Sequence, residues 1–146
     1  MTNIVYISPT TAVDIHDNKV IANSGGRHGI HNFGQLESSL EHIKNDIYYP
    51  TFEIKLARLI FAISKFHTFN DGNKRTSIAL GVYFLKINDY DYCTDTFIEE
   101  MENIVLLVVQ NYIDQLLLVE IVKSIIDYNC LTDEVKIKII KSSHKN

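Results

Sequence analysis

The feature that most constrains this chain is a polar corner between two apolar segments of helical period. His67-Thr-Phe-Asn-Asp-Gly-Asn-Lys-Arg75 places an imidazole, a carboxylate, an ammonium and a guanidinium within nine residues. Before it, residues 51–66 read as an amphipathic helix. Thr51 is its N-cap, and Ile54, Leu56, Ala57, Leu59, Ile60, Phe61 and Ile63 form a broad apolar stripe. After it, residues 76–87 (TSIALGVYFLKI) are apolar enough for a buried helix. Asp71-Gly72-Asn73 is a turn signal. These segments predict an all-α fold in which the polar groups gather where two helices meet.

The chemistry of the corner follows from its residue types. A glycine-containing loop that opens a helix presents unpaired N–H groups at the positive end of the helix dipole, which suits an anion. Gly72 and Asn73 occupy that place, and Lys74 and Arg75 fall in the first helical turn. Cations there oppose the dipole, so they serve helix stability poorly and a bound phosphate well. Asp71 is a hard oxygen ligand of the kind that holds Mg²⁺ against phosphates, and Asn73 can add a contact to phosphate or metal. His67 supplies the side-chain type that exchanges a proton near neutral pH, and so a base for an attacking hydroxyl. Phe69 is the anchor that pins the loop into the core. Singly, each residue has a plain reading as a helix cap, a turn or a solvated charge. Together at this spacing they supply the parts of phosphoryl or nucleotidyl transfer, with Mg²⁺ as the implied metal.

Composition narrows the class. At 146 residues the chain is read as one domain, residues 1–146, able to bury its own core. A formal charge of −4 without a basic stripe argues against direct nucleic-acid binding or attachment to a membrane surface. Cys93 and Cys130 stand far apart and without zinc spacing, as in a reduced cytoplasmic protein. There is no signal-peptide pattern, and no run approaches the ~18 apolar residues of a membrane span.

The remaining elements follow in order. Ser8-Pro9 caps and opens a helix to about Ile21 that carries His16 and Asp17. His16 reads as a buried histidine tied to a backbone partner. Residues 23–32 (NSGGRHGIHN) hold three glycines and no helical period, so residues 22–33 form a flexible flap or hairpin. Arg27, His28 and His31 within it could reach a substrate, and the surface reading is preferred for each. In Phe33–His42, Leu36 and Leu40 are core and Glu37 is structural. Beyond a polar turn at residues 88–92, Thr94 or Thr96 caps a helix to about Asn111. Its inward face is Ile98, Met101, Ile104, Val105, Val108 and Val109. Residues 112–128 form a heavily apolar core helix, Thr132 starts a last one, and residues 141–146 fray.

The stretch 67–75 resembles the Fic/Doc family loop His-x-Phe-x-Asp/Glu-Gly/Ala-Asn-Gly/Lys-Arg. Ile15-His16-Asp17 and Phe33-Gly-Gln-Leu-Glu-Ser-Ser-Leu are similar to further stretches of that family, and the likeness spans roughly residues 10–110. It implies a compact helical bundle whose flap lies over the active site and aligns a target peptide by strand-like pairing. Lys74 stands where adenylyl-transferring members carry glycine, and Ile78 where they carry a second arginine. Both features match the Doc (death-on-curing) toxin branch. That branch implies transfer of the ATP γ-phosphoryl group to a threonine of elongation factor Tu, with His67 as base. It also implies a cognate antitoxin whose C-terminal segment docks near the site. Lys65 stands where Doc-like members often carry a basic residue, and reads equally as a phosphate contact or a solvated helix end. Adenylyl transfer and a catalytically silent interaction protein are the alternatives.

Overall fold

Ser8 starts the first helix as its place before Pro9 requires: its hydroxyl accepts from the Thr11 N–H at 3.1 Å. In the computed structural model, which describes residues 3–144, α1 (Pro9–Ile15) runs without a break into a π-helical stretch (His16–Ile21). One last turn, α2 (Ala22–Ser24), follows. The helix therefore reaches Ile21 as predicted, with wider turns through its second half that bury His16, Val20 and Ile21 together. A loop leads to α3 (Phe33–His42), capped by Asn32 through the Gln35 N–H at 3.0 Å. Leu36 and Leu40 are core, and Glu37 is exposed.

The next helix, α4 (Phe52–Lys65), is the centre of the bundle and is capped by Thr51. It packs against α3, α5 (Asn73–Ile87), α6 (Thr94–Val109) and α7 (Gln115–Tyr128). Leu56, Ala57, Leu59, Ile60 and Ile63 are fully buried, with Ile54 and Phe61 at the edge of the stripe. One cation shares that buried face. The Lys55 ammonium donates to the Ile43 carbonyl at 2.6 Å and to Asp46 at 2.7 Å, and lies 5.5 Å from the centre of the Tyr6 ring. A buried charge persists only with such partners.

The inner face of α6 keeps Met101, Ile104, Val105 and Val108 as expected, with Val109 half-buried, but its first turn is filled by Phe97 and Ile98 is 42% exposed. Neighbouring positions on a helix lie about 100° apart, so burial of Phe97 turns Ile98 out. Neither Thr94 nor Thr96 caps this helix. Its N-cap position is Cys93, after a 3-10 turn (Asp91–Cys93), and the Thr94 hydroxyl donates back to the Asp91 carbonyl at 2.9 Å. The helix stops at Val109, because Asn111 adopts a left-handed φ of +68°.

Helix α7 begins at Gln115, three residues later than expected, where Asp114 accepts from the Leu117 N–H at 2.8 Å. It is a core helix with Leu118, Ile121, Val122 and Ile125 buried and Leu116 turned outward. Helix α8 (Asp133–Ser143) begins at Thr132 and continues through the first residues expected to fray. Ser142 is buried and its hydroxyl donates to the Tyr112 carbonyl, which ties that end down; residues 145–146 lie outside the described residues. Both cysteines are free. The fold is all-α, and among the described residues no helix is long and apolar enough to cross a membrane.

Helices α5 and α6 meet at Gly81, where an added Cβ would stand 2.6 Å from the Phe97 ring. Gly81→Ala should therefore destabilise the fold by about 1–3 kcal/mol through overpacking, despite alanine's better helix propensity. The urea midpoint should fall with an unchanged slope, and a higher midpoint would show that Phe97 gives way without cost.

Candidate active site

The corner between α4 and α5 is built on Phe69. Helix α4 ends as the Phe66 N–H bonds the Ala62 carbonyl at 3.0 Å, and His67 takes a left-handed φ of +50°. That turn leaves the His67 ring exposed and sends Phe69 inward, where it is fully buried. The Phe69 ring stacks on His16 with centroids 4.1 Å apart and planes within 8°. His16, also fully buried, sets Nδ1 2.6 Å from Asp17 and Nε2 2.7 Å from the Asp71 carbonyl. Each ring nitrogen thus faces an oxygen of the site's scaffold.

Asn73 holds the loop from the other side, and here the structure corrects its predicted role. Its Oδ1 accepts from the Phe69 N–H at 2.9 Å and its Nδ2 donates to the Phe69 carbonyl at 3.1 Å. The amide expected at metal or phosphate is thus spent on the loop backbone. What this position offers a ligand is the start of α5, which carries no side-chain cap. Gly72, at a φ of +71°, is the left-handed residue from which α5 starts.

Above this base lies a cleft of about 670 Å³. Its wall brings together His67, Asp71, Gly72, Asn73, Lys74, Arg75 and Lys65, with Phe69 beneath. Lys74 is exposed. Lys65 is not solvated freely, since its ammonium donates to the Asn111 side chain and lies 5.1 Å from the Phe61 ring centre. The Arg75 guanidinium donates to the Gly25 carbonyl at 2.9 Å and to the Ser24 hydroxyl.

The flap is bound to the loop. Ile30 forms an isolated antiparallel bridge with Phe69, and the His31 and Asn32 N–H groups donate to the Thr68 carbonyl at 2.9 and 3.1 Å. The Asn70 N–H donates to the Gly29 carbonyl at 3.1 Å. The segment is a loop paired with a loop, with no hairpin of its own. His28 is a surface residue as read. His31 places its ring edge-on to His67, centroids 5.1 Å apart. Arg27 is exposed as read, and it also forms part of the cleft wall. Its N–H donates to Asp71 at 3.2 Å and its guanidinium to the Asn70 carbonyl at 3.0 Å. The only sequence signal for this placement is the preceding Gly25-Gly26 pair, which permits a close backbone approach.

Asp71 accepts the N–H groups of Arg27 and, at 2.9 Å, of Gly72. Those two bonds, helped by the guanidinium charges of Arg27 and Arg75, outweigh partial desolvation and hold its carboxyl below the ordinary range. An ionised carboxylate at the cleft wall fits a divalent cation. Among the described residues no three His, Cys, Asp or Glu side chains converge to hold a metal alone. A cation bound by Asp71 would take its remaining ligands from phosphate and water, as Mg²⁺ does and structural zinc does not.

Residues 6–85, more than half of the chain, match the model of the Fic/DOC family. The chain belongs to that family. It is also 31% identical over 87 residues to protein kinase doc of Escherichia phage P1, an alignment covering 57% of this chain and 68% of that protein. The Fic/DOC match contains the flap, the loop and α5 as far as Leu85, whereas Lys65 takes its partner Asn111 from beyond it.

Asp17 provides a test of the site's scaffold. Burial raises its carboxyl, but the bond from His16, the Gly29 N–H and the His16 and His28 charges more than offset that, and the group sits below its ordinary 3.8. A carboxyl depressed in the folded state stabilises at pH above its unfolded value, and that contribution is lost as pH falls through the folded value. The urea midpoint should hold from neutral pH to about pH 4 and decline below it. Asp17→Asn should flatten the decline, and an unchanged acid limb would remove Asp17 from it.

Proposed function

We propose that this chain is a Doc-like toxin that transfers the γ-phosphoryl group of ATP to a hydroxyl of a cytoplasmic translation factor. Elongation factor Tu, through a threonine, is the first candidate target. The observation that carries the reading is one cleft wall holding an exposed imidazole, an ionised carboxylate and an uncapped, cation-bearing helix start.

In this mechanism His67 accepts the proton of the target hydroxyl as its oxygen attacks the γ-phosphorus, and ADP leaves. Asp71 would hold Mg²⁺, which would supply positive charge to the phosphates. The N–H groups at the start of α5, with Lys74 and Arg75, neutralise the phosphates where charge develops. Arg75 exchanges the Ser24 and Gly25 oxygens for phosphate oxygens. Lys74 at the helix start favours phosphoryl over adenylyl transfer. So does Ile78, which lines a separate groove rather than the cleft, leaving Arg75 as the last cation of the loop.

That groove is the proposed seat of the antitoxin. It measures about 390 Å³ and is walled by Ile15, Ile78, Ala79, Val82, Tyr83 and Ile98, with Lys19, Arg75 and Lys86 at its edges. An amphipathic C-terminal segment with acidic residues complements it. Because Arg75 belongs to both walls, an acidic side chain in the groove would draw it from the cleft. Lys19→Glu with Lys86→Glu should weaken antitoxin rescue of growth and leave transfer intact; full rescue would move the antitoxin elsewhere.

The direct test is the intact mass of elongation factor Tu after incubation with the chain, ATP and Mg²⁺. A phosphoryl-sized increment is expected, reduced at least about a hundredfold in rate by His67→Ala. An adenylyl-sized increment would reassign the reaction to nucleotidyl transfer. No increment, together with no growth arrest on expression alone, would leave the fold as a binding module.

A further inference from the structure

We infer that Arg27 is a phosphate-binding residue carried by the flap, which meets the nucleotide beside Asn70 and Asp71. The inference rests on the phosphotransfer reading above and extends it to a residue outside the loop 67–75.

Three observations support it. First, the flap backbone is built to come close. Gly26 has a φ of +117°, and a Cβ there would stand 2.9 Å from the Asp71 carboxylate. Only glycine allows the next residue, Arg27, to place its N–H 3.2 Å from that carboxylate. Second, the Arg27 side chain enters the cleft wall and is exposed there. Its guanidinium hydrogen bond, 3.0 Å to the neutral Asn70 carbonyl, leaves most of the fork unspent. A phosphate oxygen competes well for that donor, since charge-assisted bonds are the stronger ones. Third, charge requires it. The wall carries Arg27, Lys65, Lys74 and Arg75 against the single carboxylate of Asp71. Lys65 is held by Asn111, and Arg75 by two flap oxygens, so Arg27 and Lys74 are the cations freest to meet a polyphosphate.

The rival role is a latch, in which Arg27 does no more than clip the flap to Asn70. The two separate by ligand. Arg27→Ala and Arg27→Lys both retain the backbone N–H that approaches Asp71, so the flap keeps that tie. Binding of inorganic tripolyphosphate and of ATP with Mg²⁺ would be measured by calorimetry on the full chain, alongside KM for ATP and for the protein target. For Arg27→Ala we expect affinity for both ligands to fall about tenfold or more, with the target KM unchanged. Arg27→Lys should recover part of the loss, and it serves as the readout should the alanine variant fail to fold. Equal tripolyphosphate affinity in all three proteins, with transfer still abolished by His67→Ala, would overturn the inference and leave the reaction standing. A wild-type chain that binds tripolyphosphate and loses it in Arg27→Ala, yet modifies no target, would support Arg27 and overturn the reaction. A wild-type chain that binds neither ligand would overturn both.

Discussion

Burial of the Phe69 ring is the constraint on which the site depends. A loop of charged and amide groups has no reason to hold one shape in water. Here its shape is imposed from beneath, by an aromatic ring with no exposed surface stacked on an equally buried imidazole. Burying such a ring contributes about 2–3 kcal/mol, and each hydrogen bond around it about 1. The left-handed His67 costs roughly 1–2 kcal/mol, which this anchorage offsets. The His67 imidazole and Lys74 can therefore face the cleft while the loop is anchored from beneath.

The π-helical stretch and the flap belong to the same construction. The wide turns at residues 16–21 bring His16 under the loop and Asp17 beside the flap, where Asp17 also accepts the Gly29 N–H at 3.2 Å. Flap and loop exchange backbone bonds through Thr68, Asn70 and Gly29, so neither moves without the other. Arg75 ties the same two segments at the far end of the cleft through Ser24 and Gly25. The guanidinium proposed to meet phosphate thus also ties the flap, and in that proposal occupancy of the cleft and position of the flap are coupled through one side chain.

How much was legible in the sequence follows from the range of the forces involved. Ser8, Thr51 and Thr132 cap helices through bonds three residues away, and local chemistry of that kind is readable directly. The residue types at 67–75 and the helices on either side were equally plain. The edge of a stripe was harder. At the start of α6 either Phe97 or Ile98 can fill the inner position, and the Phe97 ring over Gly81 decides it. Choice of partner was hardest. Asn73 turns to its own loop because Phe69 offers both a donor and an acceptor in reach, while Lys65 turns to Asn111, a residue far along the chain. Arg27 read as surface because exposure and a place in a cleft wall look alike in a glycine-rich segment.

The stretch that carries the family likeness and the unit that folds are different lengths of chain. Residues 6–85 contain every group of the loop and the flap, but α4 is enclosed on its other side by α6 and α7. The space over Gly81 is filled by Phe97, and Val109 and Asn111 complete the wall near Lys65. A minimal fragment cut at the edge of the recognisable region would expose the central helix to water. The least recognisable third of the protein is thus the lining that lets the best-recognised part exist as a shape.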